Sequence, residues 1–231
     1  MLLEPVIEPE DLAPAIEAQQ QLEAYFTTLV EARRSAPGDD LLSGMIAVQE
    51  GTDRLTTLEL IGIAILLFGA GFETTTNLIG NGLLALLRHP GELARLRADR
   101  GLLRSGVDEL LRYDSPVQFD GRTVLADAEV AGVPVAAGEE VITILGAANR
   151  DPGRFSDPDR LDLGRDEGPP MSFASGIHRC LGAALAQAEG QVFFGRLLDR
   201  FSLVELADPD PVFRNRITLR GLEALPIVLQ H

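Results

Sequence analysis

Cysteine is almost absent from this sequence: Cys180 is the single one among 231 residues. That excludes an internal disulfide, an all-cysteine zinc site and an iron–sulfur cluster held by this chain alone. Whatever Cys180 does, it does singly. Basic charge is also scarce, with 20 Lys and Arg against 35 Asp and Glu and a formal charge of -15. This balance argues against a nucleic-acid backbone or an anionic membrane surface as main partner, though it leaves room for a local basic face. No uncharged apolar run reaches the ~20 residues of a spanning helix. The longest, Leu60 to Phe72, is bracketed by Glu59 and Glu73 and reads as a buried core helix. The opening MLLEPVIEPEDL has neither the basic flank nor the apolar core of a signal peptide, so a cytoplasmic setting is expected. Repeats, low-complexity tracts and linkers are missing too, which predicts one folded unit over 1–231. Aromatics are few, at 5%, but the 45% hydrophobic content is ordinary for a soluble globular protein.

Helical periodicity dominates. Ala15 to Arg34 carries Leu22, Tyr25, Phe26, Leu29 and Val30 at the spacing of one buried stripe and stops at SAPGDD. Asp39 or Asp40 can cap a short helix from Leu41 to about Gln49, and Thr56 with Glu59 forms a capping-box pattern for the next. That helix ends at Pro90, which makes it roughly 45 Å long. Another is predicted over Gly106 to Tyr113. From Thr123 to Leu145 short β-branched pieces alternate with turn glycines, which predicts a small antiparallel sheet. Asn149 to Ser172 is a long loop crowded with Asp, Pro, Arg and Gly, and long loops in compact domains tend to be functional. Helical spacing returns after Cys180, and ITLRGLEALPIVLQ reads as a final hairpin.

Two stretches carry chemistry. In GAGFETTT, residues 69–76, glycines, a carboxylate and hydroxyls interrupt an apolar helix. A dinucleotide-binding turn needs G-x-G-x-x-G/A. Gly69 and Gly71 fit, but the third position is Thr74, and no second strand with an acidic residue follows. The other stretch is FASGIHRCLG, with Phe173, Gly176, His178, Cys180 and Gly182 spaced F-x-x-G-x-H-x-C-x-G. A lone cysteine is usually a small buried hydrophobe and a lone loop histidine a solvated side chain. The combination has another rationale. A thiolate binding iron must sit close to a flat macrocycle, and flanking glycines let the backbone approach it. A helix starting after Cys180 would place unpaired N–H groups beside the sulfur and favour the thiolate. A cysteine hydrolase using Cys180 and His178 fits less well, because i,i+2 in a glycine loop is poor geometry for nucleophile and base.

FASGIHRCLG resembles the haem-binding loop of the cytochrome P450 family of haem-thiolate monooxygenases, in its soluble bacterial form. The family also has an E-x-x-R pair upstream. Three copies occur here, Glu31/Arg34, Glu92/Arg95 and Glu109/Arg112, and only the last is followed by SP and a strand region with Arg122. The resemblance implies a buried structural network of Glu109, Arg112 and Arg160, with Arg122 on a haem propionate. It further implies that AGFETT is a distal-helix motif. In that reading Ala70 and Gly71 leave room for dioxygen, Thr74 hydrogen-bonds it, and Glu73 relays protons. Thr75 and Thr76 are read as packing.

The implied fold is mainly α with a small antiparallel β region, a P450 fold lacking its N-terminal helical portion, so that 1–231 is a single partial domain. The implied cofactor is haem b, its iron held by Cys180 and its surroundings by Ala70, Gly71, Arg122, Phe173, Gly176, His178 and Gly182. The implied partners are dioxygen, a hydrophobic small molecule against Ala70, Phe72, Val117, Gln118 and Phe119, and a ferredoxin/reductase-type electron donor. The tail at Asn215 to Ile217 is a further candidate for substrate contact. Two functional expectations stand side by side: a monooxygenase, and a non-catalytic remnant that keeps the motifs but holds haem weakly or not at all. In either case the long helix should expose apolar surface.

Overall fold

The structure, a computed structural model, describes residues 9–49 and 55–231; residues 1–8, on which most of the signal-peptide reading rests, lie outside them. Three helices open the chain: α1 (Pro9–Ser35), α2 (Leu41–Gln49) and α3 (Thr57–Arg88). Their starts follow from the capping residues. Asp40 Oδ1 accepts from the Ser43 N–H at 2.8 Å, satisfying one of the orphan donors of the first turn of α2. The Ser43 N–H and the Arg33 guanidinium together hold the Asp40 carboxyl down to about 2. Before α3, the Thr56 N–H donates to Glu59 Oε2 at 2.6 Å and the Glu59 N–H to Thr56 Oγ1 at 3.2 Å, a reciprocal capping box.

Packing gathers into two compact units, Met1–Glu73 and Thr74–His231, where the sequence reads as one domain. In the first unit Phe26 and Val30 of α1, Ile46 of α2 and Leu60, Ile61, Ala64 and Ile65 of α3 form the core. Only this stripe is buried. Leu66, Phe68 and Phe72 are exposed, so the "buried core helix" of the sequence reading buries one face and leaves the other in water. By length and composition alone α3 is apolar enough to cross a membrane.

In the second unit α3 continues beside α4 (Pro90–Ala98), α5 (Leu103–Tyr113) and α7 (Ala183–Arg200), with a short α6 (Leu145–Ala148). Pro90 does not merely end α3. It opens α4, where a proline at the first position loses no hydrogen bond. The core is Leu78, Leu83, Leu86, Val107, Leu110, Leu163, Phe194 and Leu198 among others. Two glycines set how closely its helices approach. A Cβ on Gly82 of α3 would lie 3.0 Å from Phe194 and 3.2 Å from Leu110. A Cβ on Gly190 of α7 would lie 3.1 Å from Val107 and 3.4 Å from Leu78.

The strands make three separate antiparallel pairs: β1 (Asp120–Thr123) with β4 (Glu140–Thr143), β2 (Ala128–Val130) with β3 (Val133–Val135), and β5 (Leu203–Leu206) with β6 (Ile227–Gln230). The tail is thus not a self-contained hairpin. Its last strand returns to β5, and its Leu222 bridges Phe213, which precedes it.

Candidate functional site

The cysteine loop is built from two 3-10 turns, Met171–Phe173 and Gly176–His178, followed after Cys180 by α7. Between the turns Ala174 has φ 51° and ψ -164°, a conformation costing a non-glycine residue ~1–3 kcal/mol. Backbone bonds hold it: Ala174 N to Met171 O at 2.8 Å, Arg179 N to Gly176 O at 3.1 Å, and Cys180 N to Phe173 O at 2.9 Å. Gly176 has φ +71°, and a Cβ there would meet nothing within 4 Å. Within the chain its glycine answers to backbone conformation rather than crowding. Gly182 is the close neighbour, where a Cβ would stand 3.9 Å from the cysteine sulfur.

Cys180 is exposed, as is His178. So are Ile177 at 97%, Leu181 at 86% and Leu185. Each such side chain forgoes ~1.5–3 kcal/mol by staying in water, so three of them within nine residues of one another form a surface suited to an apolar partner. One accessible soft sulfur, apolar flanks and an open glycine backbone fit a thiolate-bound haem.

Behind the loop lies a buried ion network. Arg112, 2% exposed, donates through Nε to Glu109 Oε2 at 2.7 Å and through Nη2 to Oε1 at 2.9 Å. Its remaining hydrogens go to the carbonyls of Asn149, Pro158 and Arg160 at 2.8, 2.8 and 3.2 Å. Glu109 also accepts the Asp162 N–H at 2.9 Å and the Arg165 Nε at 3.1 Å. The third charged member is therefore Arg165 and not Arg160. Arg160 lends its backbone carbonyl, while its side chain, 64% exposed, turns to Asp162 at 3.5 Å.

Sequence reasoning missed Asn149, which is wholly buried. Its Nδ2 donates to Ser115 Oγ at 2.7 Å and Ser172 Oγ at 2.8 Å, and its Oδ1 accepts the Met171 N–H at 2.7 Å. Both serine hydroxyls lie within hydrogen-bond distance of the Leu111 carbonyl, at 2.8 and 2.7 Å, in the last turn of α5, where carbonyls lack helical donors. The only signal was Asn149's place at the mouth of the long loop.

The remaining predicted residues fall as follows. Ala70 is half-buried, Gly71 and Phe72 are exposed, and Glu73 and Thr74 are half-buried. All five lie within the continuous helix α3. Arg122 on β1 pairs with Asp120 at 2.6 Å. Val117 bridges Leu219, and the Gln118 N–H donates to the Thr218 carbonyl at 2.8 Å, which brings the Val117–Phe119 segment beside the tail. The Gln118 amide folds back onto the Ser115 carbonyl at 2.6 Å. A cavity of about 350 Å³ in the same unit is lined by Arg88, His89, Asp114, Gln118, Arg150 and Arg220 among others, and by no residue of the cysteine loop. Burial raises its Asp114 carboxyl in spite of the Arg220 guanidinium, so it is polar and distinct from the sulfur site. Among the described residues no cluster of three His, Cys, Asp or Glu is placed to hold a metal.

Known proteins match this arrangement. The family model for Cytochrome P450 matches residues 9–226. The chain is 46% identical to vitamin D(3) 25-hydroxylase of Pseudonocardia autotrophica, covering 92% of this chain and 54% of the relative. It is 42% identical to 6-deoxyerythronolide B hydroxylase of Saccharopolyspora erythraea, covering 97% and 56%. The crystal structure of the myxobacterial CYP267B1 in complex with myristic acid superposes with a TM-score of 0.92 at 44% identity, over 100% of this chain and 58% of that one. The chain spans about half the length of the relatives it matches.

Proposed function

The chain belongs to the cytochrome P450 family, and from that premise we propose that it is the haem-holding portion of a monooxygenase, with Cys180 as the thiolate ligand of haem b. One observation carries the reading: the single cysteine stands exposed between Ile177 and Leu181, on a loop pinned by the Cys180 N–H to the Phe173 carbonyl. When bound, the haem supplies dioxygen activation with two electrons, one oxygen atom entering a C–H bond or alkene and the other leaving as water.

The chain's own residues orient that chemistry. Cys180 would hold the haem iron as its thiolate ligand, a donor whose electron density suits dioxygen activation. His178 and Arg122 would hold propionates, Arg122 through guanidinium hydrogens beyond the nitrogen that binds Asp120. Phe173, Gly176 and Gly182 would let the loop backbone approach the haem, and Ala70 and Gly71 would leave room for dioxygen. The Thr74 hydroxyl would present a proton to that oxygen and Glu73 would relay protons from solvent, the two serving as general acids. Phe72, Val117 and Phe119 contact an apolar substrate. The hydrophobic molecules in the relatives' names and structures, vitamin D(3) and myristic acid, support that class. Electrons come from a ferredoxin/reductase-type donor, in a cytoplasmic setting.

The test is to supplement the purified chain with haem, reduce it, add carbon monoxide and look for the red-shifted Soret band of a thiolate-bound haem. The band is expected, and Cys180→Ala should abolish it; its survival in that variant would put the ligand elsewhere. A second reading, a remnant holding haem weakly or not at all, is favoured by the exposed Leu66, Phe68 and Phe72 of α3. An absent band in the unaltered chain would establish that reading instead.

A further inference from the structure

We propose that Asn149 is the positioning residue that fixes the height and rigidity of the cysteine loop, by joining it to the buried Glu109–Arg112 network. The inference rests on Cys180 being the haem ligand only for its consequence; the coupling is carried by this chain's own geometry. Asn149 faces both ways. Its backbone carbonyl accepts from Arg112 Nη1 at 2.8 Å. Its side chain holds the start of the loop, taking the Met171 N–H at 2.7 Å and donating to Ser172 Oγ at 2.8 Å. The next residue, Phe173, receives the Cys180 N–H on its carbonyl at 2.9 Å. The chain of contacts from the ion network to the cysteine backbone is thus four links long, and it is buried as far as Ser172.

No other amino acid satisfies this pocket. The site presents one donor, the Met171 N–H, and two hydroxyl oxygens whose hydrogens are claimed by the Leu111 carbonyl and each other. Only a carboxamide offers one acceptor and two donors on a side chain of this length. Aspartate keeps the shape but turns a double donor into an acceptor and adds a buried charge, and a buried polar group without a partner costs far more than the bond it replaced returns. The Met171 N–H keeps its acceptor, but the loop loses its tether at Ser172, and the strained Ala174 is free to relax and carry Cys180 with it.

The experiment compares Asn149→Asp and Ser172→Ala with Val204→Ala, a core change in the same unit far from the tether in sequence. Amide hydrogen exchange of the haem-free chain is read at Cys180 and at Leu83 and Leu86 in the core of α3. Asn149→Asp should speed Cys180 exchange at least ten-fold and Ser172→Ala about three-fold, both relative to those α3 amides, whereas Val204→Ala should leave that ratio unchanged. In the haem-supplemented, carbon monoxide-bound protein, Asn149→Asp should cut the red-shifted thiolate fraction at least two-fold in favour of the unshifted band. An unchanged exchange ratio in Asn149→Asp, or an equal change in Val204→Ala, overturns the proposal. If the unaltered chain shows no thiolate band, the functional reading fails, and the exchange ratio still decides this inference.

Discussion

Two copies of the same four-residue pattern sit in the second unit, and they have opposite fates. Glu92/Arg95 on α4 and Glu109/Arg112 on α5 are both spaced i,i+3, and both pairs close to 2.7 Å. Arg95 is 46% exposed, whereas Arg112 is 2% exposed. The backbone between them even treats them alike: the Asp162 N–H goes to Glu109 and the next N–H, Leu163, to Glu92. Spacing therefore sets the pairing, while burial sets its weight. A solvated pair gives a few tenths of a kcal/mol; a buried one becomes something the fold cannot lose one half of.

The largest expected effect follows from breaking the buried copy. Arg112→Ala takes the bidentate partner from the buried Glu109 carboxylate and the Arg112 donors from the Asn149 and Pro158 carbonyls, and should destabilise the chain by ~3–5 kcal/mol, read as a fall in urea midpoint at constant slope. Next comes the third member. Arg165→Ala removes charge-assisted bonds to Glu109 and Glu167 and should cost about 2–3 kcal/mol. Arg160→Ala, which leaves the carbonyl in place, should stay within about 0.5 kcal/mol. Equal losses at 160 and 165 would contradict the network as drawn here.

That contrast shows what the sequence could say. The neighbours SP and Arg122 were enough to choose Glu109/Arg112 among three E-x-x-R pairs, since a motif in context constrains topology. They could not choose between Arg160 and Arg165, because both lie in one loop and the decision is made by where the backbone turns. Helix starts were legible at Asp40 and Thr56, whose side chains bond only a few residues ahead. Gly82 and Gly190 were not, because their reason for being glycine is Phe194, Leu110 and Val107, all distant in sequence. The cysteine loop was legible as a pattern, and its support was not: Asn149 reaches Ser115 and Ser172 across the fold.

Acid offers a finer probe of the region joining the two pairs. Burial alone would raise the Asp162 carboxyl, but the Gly164 N–H and the Arg95 and Arg160 guanidiniums outweigh it, so it is held below its ordinary value. Glu167 is held to about 2, chiefly by the Ser156 hydroxyl and then Arg165. A depressed carboxyl contributes stability that is present above its unfolded pKa and lost as pH falls through the folded one. Stability should accordingly decline below pH ~4, and Asp162→Asn with Glu167→Gln should flatten that limb. An unaltered acid limb in the double variant would mean that other carboxyls govern it.

The smallest effect is also the most discriminating. Arg95→Ala removes a half-exposed guanidinium and leaves Glu92 still bonded to the Leu163 N–H, so the loss should be ~0.2–1 kcal/mol at low salt. At about 1 M salt the screening length drops to ~3 Å, and what remains of that loss should vanish. The Arg112→Ala loss should persist, since salt does not reach a side chain that is 2% exposed. Measuring both variants at both salts turns one comparison into a cycle. If the two losses shrink together, water reaches the Glu109–Arg112 pair, and the claim that burial separates these two identical patterns is wrong.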